Sequence, residues 1–355
     1  MDALASLLYE VRSDGALFSR NLVAPPWSVR FADRTPLTLI TMLRGTGWVV
    51  PGDAAPVALG GGDVAIVVGS EPFSVADCAD VPTAPLYVLH GPDHCTTADG
   101  YEISDELVLG VRTCGNSLDG PTVLLTGSYQ VGGRVSERLL SALPRVLVVR
   151  HDGRPSPILD LTALEISRDD PGQQAVLDRL LDLLLLATLR EWFTRPEADP
   201  PGWYRALGDP VAGKALRLIH DEPARPWTVT TLAEEAGVSR ATLARRFSDL
   251  VGEPPMAYVT GWRLARAADL LARTEATAES IARQVGYRSA FGLSVAFKRV
   301  YGTRPSRHRA AAQGTSSESE VGAGTGAGAG VGSNHAPAGK RRLPTPISPG
   351  LRRHP

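Results

Sequence analysis

The sequence predicts an α+β multidomain chain. An all-β sandwich or barrel with a following helix comes first, then an all-α domain with two helix–turn–helix units, then a disordered tail. Three observations predict this. Short β-branched and aromatic runs, broken by Gly and Pro, fill residues 22–90. A sequence unit near the C-terminus occurs twice, offset by 49–50 residues. Beyond residue 310 the composition turns to Ala, Gly and Ser, then to Pro and Arg, and offers little to bury.

Composition sets the outer limits. At 355 residues the chain is long enough for about two domains with extensions. Its net charge of −1 hides an uneven distribution: −11 over residues 1–204, +7 over 205–309 and +3 over the tail. A basic block joined to an acidic one suits a nucleic-acid module attached to something that avoids nucleic acid. Cys78, Cys95 and Cys114 show neither CxxC nor Cys/His ligand spacing, so they read as small buried apolar residues. The N-terminus lacks a basic start followed by an apolar run, and the densest apolar stretch, Leu183–Ala187, is too short to span a bilayer. A soluble, cytoplasmic chain with no membrane partner is expected.

Taken in order, residues 1–20 suggest a short amphipathic helix, with Leu4, Leu7, Leu8 and Val11 at i, i+3, i+4, i+7. Strands are expected at Trp27–Phe31, Leu37–Leu43, Gly47–Val50, Pro56–Leu59, Asp63–Val68, Phe73–Ala76 and Leu86–His90. The run Gly60-Gly61-Gly62-Asp63 reads as a turn, not a phosphate cradle, because no helix follows it. Residues 91–121 read as a long irregular excursion. A strand at Pro121–Tyr129, a helix at Ser136–Leu143 and a strand at Val146–Val149 follow. Residues 173–194 predict a long helix with two apolar stripes, Leu177/Leu181/Leu184/Leu185/Trp192 and Val176/Leu180/Leu183/Ala187. So wide an apolar surface needs the barrel, a symmetric partner, or both. Residues 195–202 are a linker by composition. A helix around 210–221 follows, then a capping-box pattern at Thr231–Glu234. Pro254-Pro255 opens a connecting helix to about Arg273.

The repeat carries the chemistry. Ala233 and Ala282 supply the small residue that two crossing helices need. Gly237 and Gly286 suit the turn, and Ser239 and Ser289 suit the N-cap of the second helix. Leu243/Phe247 and Leu293/Phe297 pin that helix inward. The opposite face is left for the DNA major groove. In the first copy it comprises Ser239, Arg240, Ala241, Thr242, Ala244, Arg245 and Arg246. An Arg there can read a guanine in bidentate fashion, worth about 1–3 kcal/mol of discrimination. In the second copy it comprises Ser289, Ala290, Phe291, Ser294, Val295, Lys298 and Arg299. Its first turns are nearly apolar, fit for thymine methyls or shallow insertion, while Lys298 and Arg299 reach the backbone.

These motifs resemble a known family. The two units, the connecting helix and the closing Tyr301-Gly302-Thr303-Arg304-Pro305…Arg309 resemble the AraC/XylS DNA-binding domain over about 210–309. Upstream, Leu43-Arg44-Gly45-Thr46-Gly47-Trp48 and Val57…Gly60-Gly61-Gly62-Asp63-Val64 resemble the cupin sensor domain of AraC-family regulators, which implies a cupin-like β-barrel of jelly-roll type. Three departures stand out: Leu293 stands for the family's usual Phe, Val295 for a frequent polar residue, and Thr126-Gly127 for a frequent Cys-Gly. The metal histidines of many cupins are missing from both expected places; His90 and His94 lie further on, and Glu71 alone is not a ligand set. No metal, cofactor or catalytic residue is expected.

The resemblance implies a cupin-like ligand-sensing domain over 1–168 and a dimerising helix and linker over 169–204. It also implies a DNA-binding domain over 205–309, with units at 231–252 and 279–302, before the tail 310–355. The implied function is sequence-specific transcriptional regulation controlled by a small-molecule effector in the barrel. The implied partners are promoter DNA, that effector, a second copy of the chain and, where the protein activates, RNA polymerase. Two alternatives stay open: a cupin-type enzyme fused to a DNA module, and a constitutive binder whose barrel only dimerises. A DNA-repair methyl-acceptor would need a tight zinc–cysteine cluster, which three scattered cysteines do not supply.

Overall fold

The computed structural model describes residues 11–312 apart from 13–17, 81–83, 92–93, 111, 132 and 154–155. Along the first half of the chain run β1 (Val11–Arg12), β2 (Phe18–Val23), β3 (Ser28–Phe31), β4 (Leu37–Arg44), β5 (Gly47–Pro51), β6 (Val57–Leu59) and β7 (Val64–Val68). They are followed by β8 (Phe73–Ala76), β9 (Tyr87–Gly91), β10 (His94–Thr96), β11 (Val108–Gly110), β12 (Thr113–Gly115) and β13 (Thr122–Val131). Helix α1 (Arg134–Leu140) separates β13 from β14 (Val146–Val149).

The strands form two sheets. One has the order β11-β12-β2-β13-β4-β7-β14, with β1 beside β13, and the other β10-β9-β3-β8-β5-β6. Among the described residues neither order returns on itself, so the expected barrel is a two-sheet sandwich. Inward residues of both sheets, among them Trp27, Phe31, Ile40, Met42, Phe73 and Tyr87, fill the space between them. Strand β4 shows why its apolar run is almost unbroken. Ile40 and Met42 face the sandwich interior, while Leu37 and Leu39 face a second core beneath the helices, so both faces are buried.

The Gly60–Asp63 turn forms as read. The Asp63 carboxylate accepts from the Gly60 N–H at 2.8 Å and from the His151 N–H at 2.7 Å, and it pairs with Arg150 at 2.8 Å. Burial alone would raise its pKa; these donors outweigh burial and hold the carboxyl below its usual value.

Two expectations need correction. Val11 is not helical but pairs with Val131 in β1, and Phe18–Arg20 belong to β2; Leu4, Leu7 and Leu8 lie outside the described residues. Residues 91–121 are not irregular throughout, because β10, β11 and β12 extend the sheet edges there. Three-residue strands leave too short a pattern to read.

Helices α2 (Pro157–Glu165) and α3 (Gln173–Trp192) cover the outer face of the first sheet. Leu177, Leu181, Leu184 and Leu185 are buried there, whereas Val176 and Leu183 stay exposed. Gly127 explains the close approach: a Cβ there would lie 2.6 Å from Leu181. Beside it the Tyr129 hydroxyl donates to the Leu181 carbonyl at 2.7 Å. Then come α4 (Gly202–Ala206), α5 (Ala212–Asp221), α6 (Val229–Ala236), α7 (Arg240–Val251), α8 (Pro255–Arg273), α9 (Ala278–Gln284) and α10 (Ala290–Tyr301), with a last helical stretch at 305–312. No helix among the described residues is long and apolar enough to cross a membrane.

Candidate nucleic-acid interface

The two units are α6–α7 and α9–α10, joined by α8. The first begins three residues earlier than its capping pattern suggested. Thr228 is the N-cap of α6: its hydroxyl accepts from the Thr231 N–H at 3.1 Å, and Thr231 returns the bond to the Thr228 N–H at 2.9 Å. Each turn then passes through a glycine at positive φ, Gly237 at 72° and Gly286 at 86°, a conformation that costs any other L-residue. Gly286 meets a second constraint, because a Cβ there would lie 2.9 Å from both the Arg263 guanidinium and the Pro223 carbonyl.

Ser239 and Ser289 cap the recognition helices. Each hydroxyl accepts an N–H at 3.2 Å, from Thr242 in α7 and from Gly292 in α10. Leu243, Phe247, Leu293 and Phe297 are fully buried and fix which face of each helix is left over.

On α7 that face presents Arg240, Ala241, Arg245 and Arg246 as exposed, with Thr242 and Ala244 half-buried. Thr242 also shares a bond with the Ser239 hydroxyl at 2.9 Å. The three arginines are not equivalent. Arg246 is held by Asp209, with Nε at 2.8 Å and Nη2 at 2.7 Å from the same carboxylate oxygen. The other oxygen of Asp209 accepts from the N–H groups of Val211 and Ala212, capping α5. Burial pushes the Asp209 carboxyl up, but these donors together hold it below its usual value. Among the described residues no carboxylate pairs with Arg240 or Arg245 in this way.

On α10 the leftover face presents Phe291 at 79% and Val295 at 55% exposure, one turn apart. Ser289, Ala290 and Ser294 are half-buried, and Lys298 and Arg299 are exposed in the last turn. The Ala290 N–H at the helix start is taken by the Glu279 carboxylate at 2.9 Å. The first turns therefore offer apolar surface and an acid, and the cations sit two turns later. Arg309 closes the second unit by donating to the carbonyls of Leu271 at 3.2 Å and Ala276 at 2.5 Å.

Two participants escaped the sequence reading. Asp209 could have been found as the Asp that opens a helix at Asp209-Pro-Val-Ala, although its pairing with Arg246 could not. Glu279 carries no local signal of its contact with Ala290. Upstream, His94 pairs with Glu102 at 3.0 Å and His90 bonds to Thr96 at 2.9 Å. Among the described residues no group of three or more His, Cys, Asp and Glu could hold a metal ion.

Known proteins share this layout. A cupin family profile matches residues 2–194, and a helix–turn–helix domain profile matches 232–311. An AraC-like transcription regulator of Streptomyces lividans is 33% identical over 314 residues, covering 87% of this chain and 98% of that protein. The chain belongs to the family of AraC-like transcription regulators. Within that family, the regulator AlkR of Acinetobacter baylyi is 26% identical over 87% of this chain and 99% of its own length. A solved structure of the DNA-binding domain of AdpA with a target DNA is similar at 28% identity and a TM-score of 0.29, covering 30% of this chain and 95% of that one. As an AraC-like regulator, the chain combines an N-terminal cupin domain with a C-terminal helix–turn–helix DNA-binding domain and acts in transcription regulation.

Proposed function

We propose that this regulator binds double-stranded DNA with both recognition helices, and that the first unit does most of the base reading. The observation that carries this is the asymmetry of the two leftover faces: Arg240 and Arg245 on α7, against Phe291 and Val295 on α10. Arg240 and Arg245 read guanine edges, Arg246 is steered by Asp209, and Lys298 and Arg299 hold phosphates. Thr242, Ala241, Ala244, Ser239, Ser289, Ala290 and Ser294 line the same two helix faces. The test is to select duplexes from a random-sequence pool with the full chain and to footprint the winner. Two protected half-sites about one helical turn apart, ~34 Å, are expected; protection of one half-site overturns the two-unit reading.

In the same reading the N-terminal domain senses a small-molecule effector, and the protein acts as a homodimer. Trp27, Phe31, Ile40 and Phe73 are among the side chains buried in the sandwich interior. An open cleft of about 520 Å³ lies between β7, β14 and the helices α2 and α3, lined by Val64, His151, Ser156, Leu159, Thr188 and Glu191. That volume suits a small organic ligand. Leu161, Leu164, Val176 and Leu183 form the exposed apolar residues of α2 and α3, a surface fit for a second copy. Thermal-shift screening of the full chain against metabolites tests the first statement: stabilisation lost in Thr188→Trp supports the cleft, and stabilisation kept in that variant removes it. Sedimentation of Leu183→Glu tests the second, with a monomer expected.

A further inference from the structure

The two units are anchored differently. Phe247, Leu243 and Leu232 of the first belong to one continuous core with Leu177, Leu181 and the outer face of the first sheet. Leu293, Phe297 and Ile281 of the second belong to a separate small core whose other wall is the far half of α8. Apart from the approach of Gly286 to the Pro223 carbonyl, the second unit is held to the rest of the molecule through the far half of α8, and a further tie there would steady it.

Helix α1 of the cupin domain lies at that place. Asp269, on the far half of α8, is 5% exposed. One of its carboxylate oxygens accepts from the Arg134 N–H at 2.6 Å, and the other from the Val135 N–H at 3.3 Å. Arg138, one turn on, pairs with Glu253 at 3.1 Å in the turn between α7 and α8, and covers the Tyr258 ring at 4.9 Å. Tyr258 in turn bonds to His220 and packs against Phe247 of the first unit. The Arg134 guanidinium covers the ring of Tyr301, the last residue of α10, at 5.2 Å. One seven-residue helix of the cupin domain thus touches the end of each unit and the helix between them. The approach is close: a Cβ on Gly133, whose φ is +101°, would lie 2.6 Å from the Asp269 carboxylate.

We infer that α1 is a brace that fixes the second helix–turn–helix unit against the first, and that the cupin domain sets the two-site grip on DNA by holding or releasing Asp269. The inference rests on the two-unit reading given above. Its physical basis is preorganisation. A second unit held in place binds its half-site without first being ordered, whereas a swinging one pays that ordering at each encounter. The contact is also releasable. Burial pushes the Asp269 carboxyl up to about 6 despite its two N–H partners, so a costly buried charge sits at its centre. Strand β13 ends at Val131, immediately before α1, and runs through the middle of the first sheet. None of the brace contacts lies on the faces of α7 and α10 assigned to DNA.

The test uses the full chain, a duplex selected by it from a random-sequence pool, and the same duplex with the second half-site scrambled. Asp269→Ala should lower affinity for the intact duplex about tenfold, leave affinity for the scrambled duplex unchanged, and erase protection of the second half-site. Gly133→Ala, which presses on the same contact from the other side, should do the same. Arg134→Ala, which keeps the backbone bond, should do less. Should Asp269→Ala also weaken the scrambled duplex, Gly133→Ala decides. Unchanged or tighter binding of the intact duplex by Gly133→Ala overturns the brace. A wild-type footprint confined to one half-site instead overturns the two-unit reading beneath it.

Discussion

The two helix–turn–helix units have the same scaffold and different surroundings. Both have a positive-φ glycine in the turn, a serine N-cap and a Leu/Phe pair pointing inward. Around that shared frame the first is welded to the cupin domain's core and shows arginines outward, while the second has its own core and shows Phe291 and Val295. The two units thus share what folding requires and differ on the faces that folding leaves free. Similar backbones here do not imply similar contributions to affinity or specificity.

The largest effect that would break this contrast concerns the cores. Phe247→Ala and Phe297→Ala each empty a fully buried site, at a cost of about 3–5 kcal/mol. Phe247→Ala is expected to lower the main calorimetric transition of the whole chain. Phe297→Ala should produce a separate, earlier transition confined to the second unit, and a single shared transition in both variants would dissolve the distinction. Next comes the reading of bases. Arg245→Ala should cost about 1–3 kcal/mol on the selected duplex and little on random DNA; equal losses in a competition assay would make Arg245 a phosphate contact.

The third effect depends on pH. His220 lies in the core of the first unit, stacked on Trp262 at 3.9 Å with its Nε2 2.8 Å from the Tyr258 hydroxyl. Burial, then the charges of Arg138 and Arg266, pushes its pKa down from 6.5 to about 3. A depressed pKa means that the unfolded chain takes up a proton the folded one refuses. The contribution is complete above pH 6.5 and is lost as pH falls toward 3, by up to about 1.4 kcal/mol per pH unit. Denaturant titrations at pH 7, 6 and 5 should show this loss in the transition that contains the first unit, and His220→Gln should flatten it. In the second unit His308 packs edge-on against Phe297, with ring centroids 5.4 Å apart, and is only half-buried. Smallest is Val295→Arg, which should strengthen binding to any duplex a few-fold and steepen the salt dependence by about one counterion. An unchanged salt slope would mean that this face of α10 stays clear of DNA.

Much of this was legible because it is local. The runs at Leu37–Leu43 and Asp63–Val68 are dense in β-branched and other apolar residues, and the glycine–serine spacing of the repeat fixes turn and cap within five positions. What was not legible is either short or distant. The helix Pro157–Glu165 was missed because its apolar residues at 158, 159, 161 and 164 fit no single face cleanly. The start of helix α6 is ambiguous in the sequence because Thr228 and Thr231 both suit a cap, and only the reciprocal bond between them decides for Thr228. The ties Arg246–Asp209 and Asp269–Arg134 span 37 and 135 positions. Asp269 did leave a trace, as an acid on the otherwise apolar side of the connecting helix, but nothing local names its partner.

The shared core also bears on how this chain can be cut. Trp203 and Ala206 in α4 are buried in the same core as Phe247, and a Cβ on Gly202 would collide with the Val251 carbonyl at the end of α7. The Pro-rich stretch before them is therefore not a loose tether between independent pieces. A fragment begun at residue 205 would leave behind part of the packing of its first unit. Exchanging sensor domains between relatives would succeed only where the junction is moved upstream of Gly202 and the surface covering Trp203 is carried along with it.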